Sequence, residues 1–491
     1  MDRIDDTLFY LDGIYCVLCS WKRQTIISIG IKKMVPSAVN IGCGAGFSGD
    51  RVDAAIPVVE TLAKKEGPKY LIFETLAERT LALAQKHRRK DPTHGYSPFL
   101  ENYLRPILKK CYETDIKIVS NFGAANPKGA AMKISEIADQ LGCKNIKIAI
   151  VEGDDLLQVM SSQDIQNYPT IEGLEIGDNE VVAANVYLGA RPIAEALSRG
   201  ADVVVVGRCT DPALVLGPLV KEFGWGEDDW INLATGTMAG HLLECGGQVT
   251  GAYFADPGYK DVPDLANVGF PIAEVANDGS LIITKADNTG GLVSAQTVKE
   301  QLLYEIHDPE NYFTADVILD ISKVSVLEVG PDRVKVSGAR GKQRPDTLKA
   351  TVSIDGGWMG EAEMSYAGPN ALKRSQLAID VLKNRCRDIK TNNPIRFDIV
   401  GTVSVHSGDN EETTNTHKYP DDGDYRIRVA TCGHDKEIVE RVNQEMLSLY
   451  CSGPAAGGGF RQHLTDQVQT ASILVDRNKI VPKVHFLTDY A

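Results

Sequence analysis

The sequence predicts an α/β protein, with a parallel sheet that has helices on both faces, followed by a small α+β domain. From residue 38 onward, short apolar runs alternate with runs of helical periodicity, which is typical of alternating strands and helices. The strand-like run at residues 202–206 contains four consecutive valines, as expected of a strand that is buried on both faces. After about residue 315 the pattern changes to short strand-like runs joined by polar turns.

In the α/β part, strands and helices are predicted in regular alternation. Strand-like runs occupy residues 38–41, 69–73, 117–120, 147–151 and 202–206. Helical runs occupy residues 53–65, 76–90, 100–113, 127–141 and 190–199. The helix at 127–141 has a clear start, because Asn126 suits the N-cap and Pro127 suits the first helical position. A hairpin is predicted between residues 274 and 285, with Asp278 and Gly279 as its turn.

The later part of the chain is predicted to be richer in strands. Strands are expected over residues 316–320, 322–329, 333–337 and 350–354, and a helix over 369–385. A polar segment at 388–393 then ends in Pro394, which indicates a domain boundary. The rest is predicted as a strand (395–404), a loop (411–423), a strand (425–430), a helix (436–449), a Gly/Pro loop (452–459) and two strands (470–475 and 481–486). We therefore divide the chain into an N-terminal extension without assigned function (1–35), an α/β domain (36–388) and a small α+β domain (394–491).

The composition is that of a globular protein without a nucleic-acid partner. The 491 residues are 43% hydrophobic and 24% charged, and the formal net charge is −14. Nucleic acids and anionic membranes repel such a chain, and no run reaches the roughly 18 apolar residues that a membrane span needs. The ten cysteines are scattered, apart from Cys16 and Cys19, as expected of reduced thiols inside the cell. We expect a cytoplasmic homo-oligomer that binds a small-molecule substrate.

Residues 236–247 contain an imidazole, a carboxylate and a thiol within five positions, with glycines on both sides. If residues 241–245 form one helical turn, His241 shares a face with Glu244 and with Cys245. Such a group could transfer protons, bind a metal or attack carbon, so all three are candidate catalytic residues. We predict no metal site, because His-x-x-Glu without a further histidine is a weak metal signature.

A glycine loop follows the first predicted strand and precedes a helix. Gly44, Gly46 and Gly49 fit the pattern G-x-G-x-x-G. Such a loop can present backbone N–H groups and a helix N-terminus to an anion. Three interpretations are open: a nucleotide cofactor, another anionic ligand such as the acidic end of a substrate, or a tight turn capped by Asp50 or Asp53.

Polar side chains also follow other predicted strands, at the positions where α/β proteins place their ligands. Glu74 and Asn121 each come directly after a strand and are candidate substrate-binding residues. Arg208 follows the valine-rich strand and could clamp a carboxylate or a phosphate. Asp211 is a candidate catalytic residue, although it could simply cap the next helix.

A second loop of small residues follows the predicted hairpin. Lys285 precedes this loop, in which Thr289 is followed by two glycines. A lysine at this position could bind an oxyanion of the ligand, although a surface lysine beside a hairpin is an alternative. We predict Lys285 as a catalytic clamp and Thr289 as a binding residue.

Taken in order, these segments resemble the acyclic terpene utilisation (AtuA) family. The matching blocks are residues 44–51, 76–78, 121–127, 151–155, 184–190, 200–202, 207–208, 239–246, 269–275, 289–291 and 300–306. The resemblance covers about residues 38–385, and the last hundred residues resemble the family's ferredoxin-like C-terminal domain. The chain departs from the family pattern at Asp287 and Asn288, which replace small or prolyl residues, and at Glu74, where an aspartate is expected.

The resemblance implies a role in the breakdown of citronellol and geraniol, for which the family is named and whose acids are processed as coenzyme A thioesters. It implies a hydratase or a lyase, without naming catalytic residues. We expect a hydratase, dehydratase or carbon–carbon lyase acting beside a carboxylate or acyl-CoA thioester by general acid–base catalysis, with no cofactor of its own. The alternatives are a non-catalytic ligand-binding or complex subunit and a nucleotide-dependent oxidoreductase.

Overall fold

The computed structural model of the chain describes residues 36–177, 179–402 and 419–490. The predicted N-terminal extension, including Cys16 and Cys19, lies outside these ranges. Most of the predicted loop at 411–423 and the end of the predicted strand at 395–404 also lie outside them.

The elements of the described ranges include both strands and helices along the whole chain. The strands are β1 (Ala38–Ala45), β2 (Lys69–Phe73), β3 (Ile116–Ser120), β4 (Ile148–Glu152), β5 (Val181–Val186), β6 (Val203–Val206), β7 (Pro271–Ala276), β8 (Leu281–Lys285), β9 (Tyr312–Phe313), β10 (Ile318–Asp320), β11 (Ser325–Gly330), β12 (Arg333–Ser337), β13 (Arg340–Lys342), β14 (Thr347–Ala367), β15 (Ile395–Val400), β16 (Asp424–Gly433), β17 (Gly458–Asp476) and β18 (Lys483–Phe486). The helices are α1 (Ala55–Ala63), α2 (Glu78–Lys90), α3 (Leu100–Leu104), α4 (Leu108–Glu113), α5 (Pro127–Gln140), α6 (Ser162–Gln166), α7 (Arg191–Ser198), α8 (Ala213–Phe223), α9 (Trp230–Glu244), α10 (Ala295–Leu303), α11 (Ala371–Cys386) and α12 (Lys436–Ser452).

One large mixed sheet has the strand order β11-β12-β8-β7-β1-β2-β3-β6-β4-β18. The central strands β1, β2, β3, β6 and β4 are parallel to one another. The strands on both flanks are antiparallel to their neighbours. The prediction of a parallel sheet is therefore correct for the centre and wrong for the flanks. Hairpins cause the difference on one side, where Asp278 and Gly279 turn β7 back into β8 as the sequence predicts.

The central strands lie in the main hydrophobic core. All four residues of β6 and all but the first residue of β1 are buried. Burial of both alternating sets of side chains requires a covering layer on each face of the sheet. The carboxyl ends of β2, β3 and β6 lie along one edge, so the residues that follow these strands gather there.

The predicted helix over residues 100–113 is wrong as a single element, because the structure has two short helices, α3 and α4, in its place. Pro106 lies between them. Proline has no backbone N–H and its ring collides with the preceding turn, so an uninterrupted helix is disfavoured there. By contrast, α5 begins as predicted, with the Asn126 side chain accepting a hydrogen bond from the Gly129 N–H.

Two long strands, β14 and β17, were predicted only in part. The sequence predicts short strands over residues 350–354 and 470–475 and a loop over 452–459. In the structure β14 spans 21 residues and β17 spans 19. Gly356 and Gly357 interrupt the apolar alternation of β14, and a register shift occurs there, yet pairing continues on both sides. Strand β5, which the sequence did not reveal, pairs with the first half of β14.

The second half of β14 begins a smaller unit with the chain order β14-α11-β15-β16-α12-β17. Its sheet is antiparallel, in the order β15-β16-β14-β17. A separate hydrophobic core packs the two helices against this sheet and includes Leu382 of α11 and Met446 of α12. This core draws on residues on both sides of the polar segment at 388–393. The last strand, β18, leaves the unit and pairs with β4 in the large sheet. Within the described ranges, no helix has the length and apolarity required to span a membrane.

Candidate functional site

Arg208 is the centre of a buried group of charges at the carboxyl edge of the large sheet. Arg208 is 2% exposed, and its guanidinium Nη2 lies 3.1 Å from Asp211 Oδ1. Nη1 donates a hydrogen bond to the Leu76 carbonyl, and the guanidinium carbon lies 4.1 Å from the centroid of the Tyr187 ring. Nε is buried and has no hydrogen-bond partner in the described part of the chain. One donor of the clamp therefore remains free for a ligand.

Asp211 is directed toward Arg208 and not toward the helix that follows it. Helix α8 begins at Ala213 without a side-chain cap, so the alternative in which Asp211 caps this helix is wrong. The Asp211 side chain is 32% exposed as a whole, but its Oδ1, which faces Arg208, is buried. Burial in the protein raises the pKa of its carboxyl well above the usual range, and the charges of Glu74 and Glu244 add to the effect of burial. Arg208 opposes this rise but does not cancel it.

Glu78 and Tyr187 complete the surroundings of Arg208, and neither was predicted as a site residue. The Tyr187 hydroxyl donates a hydrogen bond to Glu78 and lies 3.1 Å from Thr351 Oγ1. Burial opposes ionisation of Glu78, but the Arg208 guanidinium and the Tyr187 hydroxyl hold the pKa of Glu78 below its usual range. Two carboxyls beside one arginine thus have pKa values shifted in opposite directions.

A cavity of about 480 Å³ opens beside this group, which we call the arginine cavity. Its charged and tyrosyl lining consists of Glu78, Tyr187, Arg208, Asp211, Glu305, Tyr312 and Lys349. The apolar part of its lining includes Ile171, Phe313, Leu348 and Leu474. A ligand with an apolar body and an oxygen-rich end fits this distribution.

His241 and Glu244 lie on one face of α9, which confirms that this part of the segment is helical. His241 Nδ1 lies 3.0 Å from Glu244 Oε1, and both residues are buried. Burial alone would lower the pKa of His241, but the Glu244 carboxylate raises it above its usual value. The other polar atoms of the pair, Nε2 and Oε2, have no hydrogen-bond partner among the described residues. The His241 ring lies 5.6 Å from the ring of Tyr312, which borders the arginine cavity.

Cys245 follows the last residue of α9, so the predicted helical turn ends one residue before it. Burial and the nearby Glu244 charge raise the pKa of its thiol, which keeps the sulfur protonated. His241, Glu244 and Cys245 are absent from the described lining of the arginine cavity. The thiol is therefore a poor nucleophile, and His241 contacts the lining of the cavity through the ring of Tyr312.

Glu74 and Asn121 hydrogen-bond to each other. Asn121 Nδ2 donates to Glu74 Oε1 over 2.8 Å, and Asn121 Oδ1 accepts from the Thr75 N–H over 2.7 Å. Glu74 also accepts from the Leu76 N–H over 2.9 Å, and burial raises the pKa of its carboxyl. These contacts fix the segment that connects β2 to α2, which carries both Leu76 and Glu78.

The glycine loop at 44–49 binds a carboxylate of the protein itself. Asp50 Oδ2 accepts a hydrogen bond from the Gly46 N–H, and Asp50 Oδ1 accepts from the Arg51 N–H, both over 2.8 Å. A Cβ atom at Gly46 would lie 2.3 Å from the Gly246 nitrogen, so the glycine allows the loop to pack against the end of α9. The open interpretation that best fits these contacts is a tight turn held by Asp50. A side chain at Gly44 would meet Phe73, and one at Gly49 would meet Phe47.

Lys285 and Thr289 hold their own loop together. Lys285 Nζ donates to the Thr289 carbonyl over 2.8 Å and lies 3.5 Å from Asp332 Oδ2. The Thr289 hydroxyl donates to the Ala286 carbonyl over 2.5 Å. Neither residue belongs to the lining of the arginine cavity within the described ranges. The same ranges contain no group of three or more His, Cys, Asp or Glu residues that could hold a metal ion.

The arrangement adds four residues that the sequence analysis did not choose: Glu78, Tyr187, Glu305 and Tyr312. The first three lie inside blocks that carry the family resemblance (76–78, 184–190 and 300–306). Membership in these blocks is the sequence signal that could have identified them as site residues. Glu305 also has a positive φ of 60°, a conformation that non-glycine residues adopt rarely and often at functional sites. Tyr312 lies in none of these blocks.

Comparison with known proteins gives one match. The family model described as acyclic terpene utilisation family protein AtuA matches residues 39–486. No curated protein and no solved structure matches the chain. Because the family model covers most of the chain, including both cores and every element around the arginine cavity, the chain belongs to the acyclic terpene utilisation (AtuA) family.

Proposed function

We propose that the protein is an enzyme that adds or removes water, or cleaves a carbon–carbon bond, beside a carboxylate or an acyl-CoA thioester. The family name suggests a role in acyclic terpene utilisation, so terpenoid or branched acyl compounds are the proposed substrates. Both reactions proceed through an enolate-like species and require an acid, a base and a positive charge near the carboxyl oxygen. The chain's own side chains can supply all three.

The Arg208–Asp211 pair beside the arginine cavity carries this proposal. Asp211, whose pKa is raised, would hold a proton and act as the general acid. Glu78, whose pKa is lowered, would stay ionised and act as the base. Two carboxyls with pKa values driven apart in one cavity are typical of acid–base enzymes. Arg208 Nε would donate to the oxygen on which negative charge develops.

His241 and Glu244 would act at the back of the same cavity. Their free atoms, Nε2 and Oε2, are buried and unpartnered, which is costly unless a ligand or a mechanism uses them. The Tyr312 ring contacts the His241 ring and also borders the cavity, so we place the pair directly behind this residue. We assign Lys285, Thr289 and the glycine loop to the scaffold of the site.

Measurement of turnover on a panel of unsaturated and 3-hydroxy acids, offered free and as coenzyme A thioesters, tests the proposal. The Asp211→Asn variant should lose about 100-fold or more of the wild-type rate, because loss of a general acid typically costs that much. Asp287→Asn is the matched control, since the Asp287 side chain is 55% exposed and pairs with Lys64 at the surface. Wild-type-like turnover by Asp211→Asn would contradict the proposal, as would equal losses in both variants.

A non-catalytic ligand-binding subunit is the second candidate. The observation in its favour is that His241 and Glu244 pair with each other through Nδ1 and Oε1 and lie outside the described lining of the arginine cavity. This candidate predicts that members of the panel bind saturably while remaining chemically unchanged. Turnover by the purified wild-type protein that His241→Ala and Glu244→Gln both reduce would eliminate it.

We also propose that the smaller unit is a ferredoxin-like domain. Its β-α-β-β-α-β chain order and its antiparallel sheet order support this assignment, since numbering its four strands along the chain gives the spatial order 4-1-3-2. The unit would then begin in the second half of β14 and not at residue 394. Limited proteolysis that releases a stable fragment starting near residue 358, and not one starting near 394, would support this boundary.

A further inference from the structure

A second cavity, of about 610 Å³, lies between α2 and the carboxyl ends of β2 and β3. Residues 79, 83 and 87 of α2 are spaced by four and face it together. Thr75, Leu76 and Asn121 border it on the sheet side, and none of its lining residues belongs to the arginine cavity. The two cavities are therefore separate, with the segment after β2 between them.

The charge of this second cavity differs from that of the arginine cavity. Its acidic, basic and histidyl lining consists of Arg79, His87, His94, Lys133 and Glu101. The single carboxylate of this lining, Glu101, pairs with Lys133 over 3.0 Å and also with Arg105 outside the cavity. Outside the lining, Glu136 lies 3.3 Å from Lys133 and Asp91 lies 2.9 Å from His94. The arginine cavity instead has three acidic side chains, Glu78, Asp211 and Glu305, beside two permanent cations. In the second cavity, Arg79 is a permanent cation to which the described part of the chain supplies no carboxylate, so its charge is available to an anion.

Two lining groups of the second cavity are free to bind a ligand. The Ser97 hydroxyl is buried, with its residue 5% exposed, and has no hydrogen-bond partner among the described residues. A buried hydroxyl without a partner is uncommon in native proteins and calls for an explanation such as a missing ligand. Arg79 makes no hydrogen bond or ion pair with any described residue, although it carries a permanent charge.

We infer that the second cavity binds an organic phosphate, with its phosphoryl group held by Arg79, Lys133 and the Ser97 hydroxyl. A phosphate dianion offers more charge and more acceptor oxygens than a carboxylate, which suits guanidinium, ammonium and hydroxyl donors in one cavity. Leu76, Leu83 and Leu100 give the same cavity an apolar wall for the organic part of the ligand. The inference does not depend on the acid–base chemistry proposed for the arginine cavity.

Calorimetric titration of the full chain with phenyl phosphate, and separately with benzoate, tests the inference. Phenyl phosphate should bind saturably and about tenfold or more tightly than benzoate. Arg79→Gln and Ser97→Ala should each weaken phenyl phosphate binding about tenfold, the effect of one lost hydrogen bond to a charged group. Lys90→Gln, an exposed cation of the same helix outside the cavity, should bind as the wild type does.

The inference is overturned if phenyl phosphate shows no saturable binding, or if benzoate binds equally well. Equal affinities in wild type and Arg79→Gln would also overturn it, as would an equal loss in Lys90→Gln, which would indicate unspecific attraction. Arg79 lies at the surface, so its substitution should leave the melting temperature unchanged and the comparison valid. Competition by free coenzyme A would identify a thioester carrier as the source of the phosphate. If coenzyme A does not compete, the ligand is a separate phosphate ester.

Discussion

Asp154 holds the backbone of Arg208 from the end of β4. Its Oδ2 accepts hydrogen bonds from the Arg208 N–H and from Asn185 Nδ2, both over 2.8 Å. Asp154 is 4% exposed, and burial raises the pKa of its carboxyl to about 6. A positioning residue of the candidate site is therefore also a titratable group near neutral pH.

This raised pKa predicts a pH-dependent stability. In the unfolded chain an aspartate titrates near about 3.9, so between about pH 4 and pH 6 the folded state binds more protons. Stability contributed by this group therefore falls as the pH rises through that window, by at most on the order of 3 kcal/mol. Melting curves should show that acidification from pH 7 to pH 5 stabilises the wild type relative to Asp154→Asn. Identical pH dependence in both proteins would contradict this, and the exposed Asp228→Asn should behave as the wild type does.

At the residue scale, local signals in the sequence identified part of the candidate site. The spacing of His241 and Glu244 on a helix predicted their contact, and the position of Arg208 after the valine-rich strand predicted its place at the sheet edge. Tyr312 and Glu305 could not be found in this way. They reach the arginine cavity only through the tertiary path of the chain after α10, and no local pattern encodes that path.

At the scale of elements, α8 and α9 pack closely enough to require a glycine. A Cβ atom at Gly240 would lie 2.5 Å from the Pro212 Cα and 2.7 Å from its carbonyl oxygen. Both atoms belong to the backbone, so the neighbour cannot simply move aside. This contact fixes α9, which carries His241, against the segment that carries Asp211.

Gly240→Ala should therefore lower the free energy of unfolding by about 1–3 kcal/mol, as overpacking of a core typically does. Denaturant titration measures the change. Gly458→Ala is the matched control, because a Cβ atom there meets nothing within 4 Å and should leave stability nearly unchanged. A Gly240→Ala protein as stable as the wild type would show that the two helices can separate without cost.

Element boundaries were predictable where a local signal marks them. Asn126 and Pro127 gave the start of α5, and Asp278 with Gly279 gave the β7–β8 turn. Pro106 carried the signal for the break between α3 and α4, but the apolar periodicity around it suggested one helix. The length of β14 and β17 could not be read from the sequence, because each strand is sustained by pairing with residues about a hundred positions away.

At the scale of the whole molecule, the parallel direction of the central strands follows from the alternation of strands and helices, whereas the antiparallel flanks and the insertion of β6 between β3 and β4 do not. Strands β11 and β12 follow hundreds of residues after β1, and β18 returns from the far end of the chain to pair with β4. Such long-range pairings are selected by the assembled core. The sequence therefore predicted the edge of the sheet where the site lies, but not the cavity, whose wall is completed by β14 and β17.

The account depends on proton transfer beside a carboxyl group in the arginine cavity. The most direct test is solvent deuterium exchange: acyl substrates of the panel are incubated in deuterium oxide with the wild type or with Asp211→Asn, and the α-carbon is analysed by mass spectrometry. Both proposed reactions pass a proton through that carbon, so the wild type should incorporate deuterium in at least one substrate and Asp211→Asn should incorporate about 100-fold less. Absence of exchange in every substrate, or equal exchange in the two proteins, would contradict the account.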